Sequence, residues 1–143
     1  MSADAEVRAA SERFYAALNR MIGGDASSMK DIWSQSATVT TMHPIGGREV
    51  GREQVLGSFR KVAELASAGE VKLTDAIVQV TGDVGYELGI ERGRIKLAGH
   101  YAAIEHRVTN IYRRENGAWV IVHHHTDLSP GMLDILHRLQ GKK

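Results

Sequence analysis

The apolar residues of this chain change their spacing once, near residue 70, and that change limits what it can fold into. Before it they recur every three or four residues, the repeat of a helix with one buried face; after it they alternate, the repeat of a strand. Val7, Phe14, Leu18, Met21 and Ile22 form the first helical stripe, and Gly23-Gly24 stops it. A shorter helix is predicted over 26–33, a strand over 37–42, and a sharply bent loop over 43–51, which holds Pro44, Gly46, Gly47 and Gly51. Residues 52–66 are helical again, with Val55, Phe59 and Val62 on one side. Four strands follow, over 71–81, 84–92, 99–114 and 118–127. Gly82-Asp83 and Asn116-Gly117 supply tight turns, because these residue types tolerate positive φ. Ser129 and Pro130 then open a terminal helix. Helices first and strands afterwards give an α+β domain with the helices on one face of an antiparallel sheet.

The 143 residues suit a single domain. With no cysteine in the chain, disulfide scaffolds, thiolate metal sites and cysteine nucleophiles are excluded. The net charge of +1 argues against broad binding of nucleic acid or of an anionic membrane. No apolar run approaches the ~20 residues that span a bilayer, and the first residues are acidic where a signal peptide is basic. A cytoplasmic protein is expected.

The last strand has two faces. Val120, Val122, His124 and Thr126 share one; Trp119, Ile121, His123 and His125 share the other. Both are partly apolar. One meets the helices, and the other, assigned to Ile121 and its neighbours, is expected to meet a second copy of the chain in a homodimer. The same alternation weakens a metal reading of His123-His124-His125, since only the outer two can converge on one ion and no third ligand lies near them in sequence. No metal is expected.

Phe14-Tyr15, Gly24-Asp25, Ile32-Trp33, the strand with its proline loop, Gly51-Arg52-Glu53-Gln54-Val55 with Phe59, and Asn116-Gly117-Ala118-Trp119 leading into the histidines form a string over nearly the whole chain. It resembles the nuclear transport factor two-like superfamily, in particular its ketosteroid isomerase-like and SnoaL-like polyketide cyclase members. It is also similar to the association domain of calcium/calmodulin-dependent kinase II. The resemblance implies a cone-shaped fold in which N-terminal helices pack on a strongly curved sheet around an apolar pocket. It further implies either a cofactor-free isomerase, cyclase or dehydratase acting on a small hydrophobic carbonyl compound, or a non-enzymatic binding or assembly module.

The resemblance also places the candidate residues. His43, just before Pro44, falls where the isomerases hold their general base; Tyr15 matches the tyrosine that binds the oxyanion; His106 falls at or near the family's protonated aspartate. Trp33 and Phe59 replace two supporting tyrosines. The candidate catalytic set is therefore His43, Tyr15 and His106. Trp33, Phe59, Val108, Asn110, Val122, His124 and Thr126 form the expected pocket. The kinase association domain implies pocket arginines near Asn110 and Thr126, where this chain has none, leaving Arg92 and Arg107 to serve from other positions. Histidine as a base suits a proton shuttle, because its ordinary pKa lies near neutral pH.

Overall fold

A computed structural model describes residues 2–141. Helix α1 runs over Ala3–Ile22, its first turn capped by the Ser2 hydroxyl, which accepts from the Ala5 N–H at 3.1 Å. Its buried side carries the predicted stripe. A 3₁₀ turn at Ser27–Asp31 takes the place of the expected second helix. Strand β1 covers Thr40–His43 and β2 covers Gly46–Val50. The stretch expected to be a bent loop is thus a short hairpin, with Gly46 and Gly47 both at positive φ. Helix α2, Arg52–Leu65, runs without a break into β3, Ala66–Thr81. Then come β4 (Val84–Leu97), β5 (His100–Glu115), β6 (Ala118–Thr126) and helix α3 (Pro130–Leu139), whose first turn the Ser129 hydroxyl caps.

The strands form one curled sheet in the order β2-β1-β6-β5-β4-β3. Every pair is antiparallel except β1–β6, so the expected antiparallel sheet is mixed at this one junction. The parallel pair arises because β1 reaches the sheet from α1, with no hairpin to join it to β6. Glycines allow the curl. Gly69 on β3 and Gly93 on β4 have positive φ, and a Cβ on Gly93 would lie 1.9 Å from the Glu70 carbonyl oxygen. The two strand backbones therefore approach more closely there than any side chain permits.

The sheet's inner face meets α1, α2 and α3 over the core. Phe14 lies at its centre, fully buried, edge-on to Tyr15, Trp33 and Phe59 at centroid distances of 5.1, 6.3 and 6.4 Å. The faces of β6 do not follow strict alternation. Ile111 pairs with His123, but Tyr112 pairs with Ile121, which leaves Val122 as an extra residue in a bulge. The bulge reverses the phase. Trp119 and Ile121 turn inward before it, His124 and Thr126 turn inward after it, and Val122 is only partly buried. Assigning Ile121 to the outer face is therefore incorrect: it is 1% exposed and part of the core.

Two glycine substitutions test this account of the curl. Gly93→Ala should lower the unfolding free energy by about 3 kcal/mol or more in urea melts, since the sheet must open to admit the methyl group. Gly57→Ala on α2, whose new Cβ would meet only the flexible tip of Arg60, should leave stability unchanged or raise it by up to about 1 kcal/mol.

Candidate functional site

Strand β4 reads Gly85-Tyr86-Glu87-Leu88-Gly89-Ile90-Glu91-Arg92-Gly93. Its large apolar residues would ordinarily face the core. Over this stretch Tyr86 and Leu88 face outward instead, and the glutamates, flanked by glycines, face inward: Glu87 and Glu91 are 2% and 3% exposed. The register with β5 then determines their partners. Glu91 lies opposite His106 and Glu87 opposite Asn110, while on the next strand pair Asn110 lies opposite His124. Directly opposed side chains on one face of an antiparallel pair are close enough to bond.

The resulting network is continuous. Glu91 Oε1 is 2.7 Å from His106 Nε2, and Glu91 Oε2 accepts from the Tyr15 hydroxyl at 2.8 Å. The Tyr15 oxygen in turn accepts from Asn110 Nδ2 at 3.1 Å. The same Asn110 nitrogen donates to Glu87 Oε1 at 3.0 Å, where the Tyr112 and Ser11 hydroxyls also donate, at 3.0 and 2.9 Å. Asn110 Oδ1 lies 2.7 Å from His124 Nδ1.

Burial alone would raise the Glu91 carboxyl, but its hydrogen bond from His106, the neighbouring imidazoles and the Tyr15 hydroxyl outweigh that and hold it below the ordinary range. It is a buried carboxylate. Burial, helped by the Glu91 charge, pushes the Tyr15 hydroxyl well above its usual pKa, so it keeps its proton and gives it to Glu91. His43 is displaced the other way. Burial, with His124 nearby, lowers it to about 3, and burial lowers His124 to about 4. Both rings are neutral at pH 7.

Beside this network lies an apolar cavity of about 50 Å³, bounded by Leu18, Met21 and Ile22 of α1, Phe59 and Val62 of α2, Ile95 and Ile104 of the sheet, and Met132 of α3. Its polar wall consists of His43, Glu91, His106 and His124. It has room for about three to five water-sized groups. His106 Nδ1 is buried with no hydrogen-bond partner among the described residues. Among the described residues no Lys or Arg side chain lines the cavity: the exposed Arg92 pairs with Glu105 at 2.9 Å and the exposed Arg107 with Asp127 at 2.8 Å.

Of the residues singled out from sequence, His43, Phe59, His106 and His124 line the cavity. Tyr15 and Asn110 stand behind Glu91, in the network rather than on the wall. Trp33, Val108, Val122 and Thr126 do not line it. His43 is bonded to the Ser58 hydroxyl, 2.7 Å from Nε2. Its low pKa makes it a weak base at neutral pH. Outside the cavity, His123 contacts the Thr40 hydroxyl at 2.6 Å, and no group of three or more metal-ligating side chains is assembled among the described residues. Glu91 was not a candidate from sequence. The available sign is its position between two glycines, on a stretch where Tyr86 and Leu88 fall on the other face.

The two neutral histidines make stability depend on pH. Each is unprotonated in the folded state and titrates near 6.5 when unfolded, so its full contribution is present above pH 6.5 and is lost as the pH falls to about 4 for His124 and about 3 for His43. Each steepens the decline by up to about 1.4 kcal/mol per pH unit. His43→Gln, which retains a group able to bond Ser58, should flatten the slope of urea stability between pH 6.5 and 4 by about that amount. An unchanged slope would show that His43 titrates normally.

Several known proteins share this architecture. A proposed dehydratase of the nuclear transport factor two-like family from Streptomyces avermitilis is 25% identical and superposes with a TM-score of 0.77 over 87% of this chain and 94% of its own. A proposed calcium/calmodulin-dependent protein kinase type II association domain from Thiobacillus denitrificans is 26% identical, with a TM-score of 0.67 over 85% of this chain and 93% of its own. A nuclear transport factor two-like superfamily protein from Salmonella enterica shares the fold at 18% identity, with a TM-score of 0.77 over 88% of this chain and 90% of its own. No curated protein matches. The family model for the SnoaL-like domain matches residues 7–129, which take in the cavity and the network except for Met132. The chain belongs to the SnoaL-like domain family.

Proposed function

We propose that this protein binds a small apolar carbonyl compound in the cavity and moves a proton within it, with His106 as the base. The observation that carries this reading is the Glu91–His106 pair, 2.7 Å apart and buried at the wall of an apolar cavity. An ionised Glu91 accepts, so His106 donates from Nε2 and its Nδ1 is left as the free nitrogen. When Nδ1 takes a proton from a carbon next to a carbonyl, the C–H electron pair passes to the carbonyl oxygen as an enolate, and the imidazolium that forms lies against a carboxylate in a water-poor site, which stabilises it. Tyr15 and Asn110 act through Glu91. They fix the carboxylate rather than meeting the ligand, which differs from the oxyanion role implied by resemblance. Proton abstraction of this kind begins both isomerisation and dehydration, and the Streptomyces relative at 25% identity is a proposed dehydratase.

A second copy of the chain is proposed to cover the sheet's outer face. Ile77 on β3 lies opposite Leu88 on β4, and Val84 and Tyr86 continue the same apolar stripe, with exposures of 39–55%. The Thiobacillus relative at 26% identity is a proposed association domain. Sedimentation should show a dimer that Leu88→Glu converts to a monomer. A monomeric unsubstituted protein would contradict this.

The catalytic reading is tested without knowledge of the natural substrate by hydrogen–deuterium exchange at the α-carbons of butanone in D₂O. The protein should accelerate exchange above the buffer rate. His106→Gln and Glu91→Gln should each lower the enhancement about 100-fold or more, while His43→Gln should keep most of it. Undiminished exchange in His106→Gln would remove His106 as the base.

A further inference from the structure

The hydrogen bonds behind the cavity run in one direction. Glu91 is ionised and can only accept, so the Tyr15 proton is committed to it. The Tyr15 oxygen must then accept from Asn110, whose amide faces a second acceptor in Glu87. Two acceptors on that side fix the NH₂ group there and turn Oδ1 toward His124, so His124 donates from Nδ1. His124 Nε2 is left as a lone pair on a residue of the cavity wall, with no hydrogen-bond partner among the described residues. His106 donates from Nε2, which leaves its Nδ1 as the second bare nitrogen. Every donor in the network is used up behind the wall. The wall itself offers acceptors.

We infer that the ligand of this cavity is a small neutral compound bearing a hydroxyl group, which it donates to the bare Nε2 of His124. This rests on the cavity being the binding site and adds to that reading the polar group the ligand must carry. A hydroxyl satisfies a lone pair that no protein group among the described residues meets. A ketone alone leaves that lone pair unmet, and a carboxylate meets the Glu91 charge with no Lys or Arg among the described residues of the wall to offset it. His124 is thus a specificity residue, selecting hydroxy-carbonyl over plain carbonyl substrates, while His106 acts on the carbon.

The test compares four compounds on one carbon skeleton, 2-butanol, butanone, butan-2-amine and 2-methylbutanoate, by calorimetric titration into the full chain at pH 7. Side-chain ¹⁵N spectra of the histidines are recorded alongside. Before any ligand is added, His124 Nε2 should give the signal of an unprotonated nitrogen, and 2-butanol should shift it. The alcohol should bind about tenfold more tightly than butanone, the worth of one hydrogen bond, and 2-methylbutanoate should not bind. His124→Phe should abolish the preference for alcohol over ketone while still binding both. Equal or tighter binding of butanone, tightest binding of the amine, or a protonated His124 Nε2 would overturn the inference while leaving the His106 exchange reaction intact. If none of the four binds, the cavity reading falls and the inference falls with it.

Discussion

Burying one carboxylate organises much of this molecule. An ionised group taken from water costs several kcal/mol unless charge-assisted hydrogen bonds replace its hydration, so donors must be built around Glu91. The chain brings one from α1, Tyr15, and one from β5, His106, and each of these has further requirements. Tyr15 needs a donor for its oxygen, which Asn110 provides; Asn110 needs a donor for its own oxygen, which His124 provides. The glycines of β4 belong to the same requirement. A Cβ on Gly89, between Glu87 and Glu91, would come 3.0 Å from the Thr74 carbonyl oxygen, and Gly93 lets β3 close over the strand. Curl, register and polar network therefore depend on one another.

The fold provides the apolar half of the site separately. Helices α1, α2 and α3 and the far end of the sheet contribute side chains that exclude water, and exclusion of water strengthens every interaction on the polar wall. The histidines there differ because their partners differ. His43 faces a hydroxyl and an apolar ring, so burial acts on it almost unopposed. His106 faces a carboxylate, which takes the hydrogen bond from its Nε2 at 2.7 Å and fixes the ring.

Much of the architecture was legible because it follows from spacing. The stripe on α1, the cap at Ser129 and the two hairpin turns at Gly82-Asp83 and Asn116-Gly117 all lie where local chemistry places them. The β4–β5 turn was not legible. It is formed by Ala98-Gly99, both at positive φ, and alanine at such a position carries no turn signal. Ending β4 at Arg92 concealed the hairpin, and with it the register that sets Glu91 opposite His106 and Glu87 opposite Asn110. The β6 bulge at Val122 was concealed for a different reason. Tertiary packing inserts the extra residue, and the sequence alternates smoothly through it. Resemblance singled out Tyr15 and His106 without the carboxylate that joins them, because on the first half of β4 Tyr86 and Leu88 point to solvent while the glutamates turn inward.

The most direct test of this account is the titration of Glu91 itself, followed by the ¹³C resonance of its side-chain carboxyl. If His106 and Tyr15 outweigh burial, the carboxyl should remain ionised as the pH is lowered through 4.5, the ordinary value for glutamate, for as long as the protein stays folded. A midpoint above 4.5 would show that burial prevails and that Glu91 takes up a proton. The direction of every hydrogen bond from Tyr15 to His124 would then be open to reversal, and the account would fail at its centre.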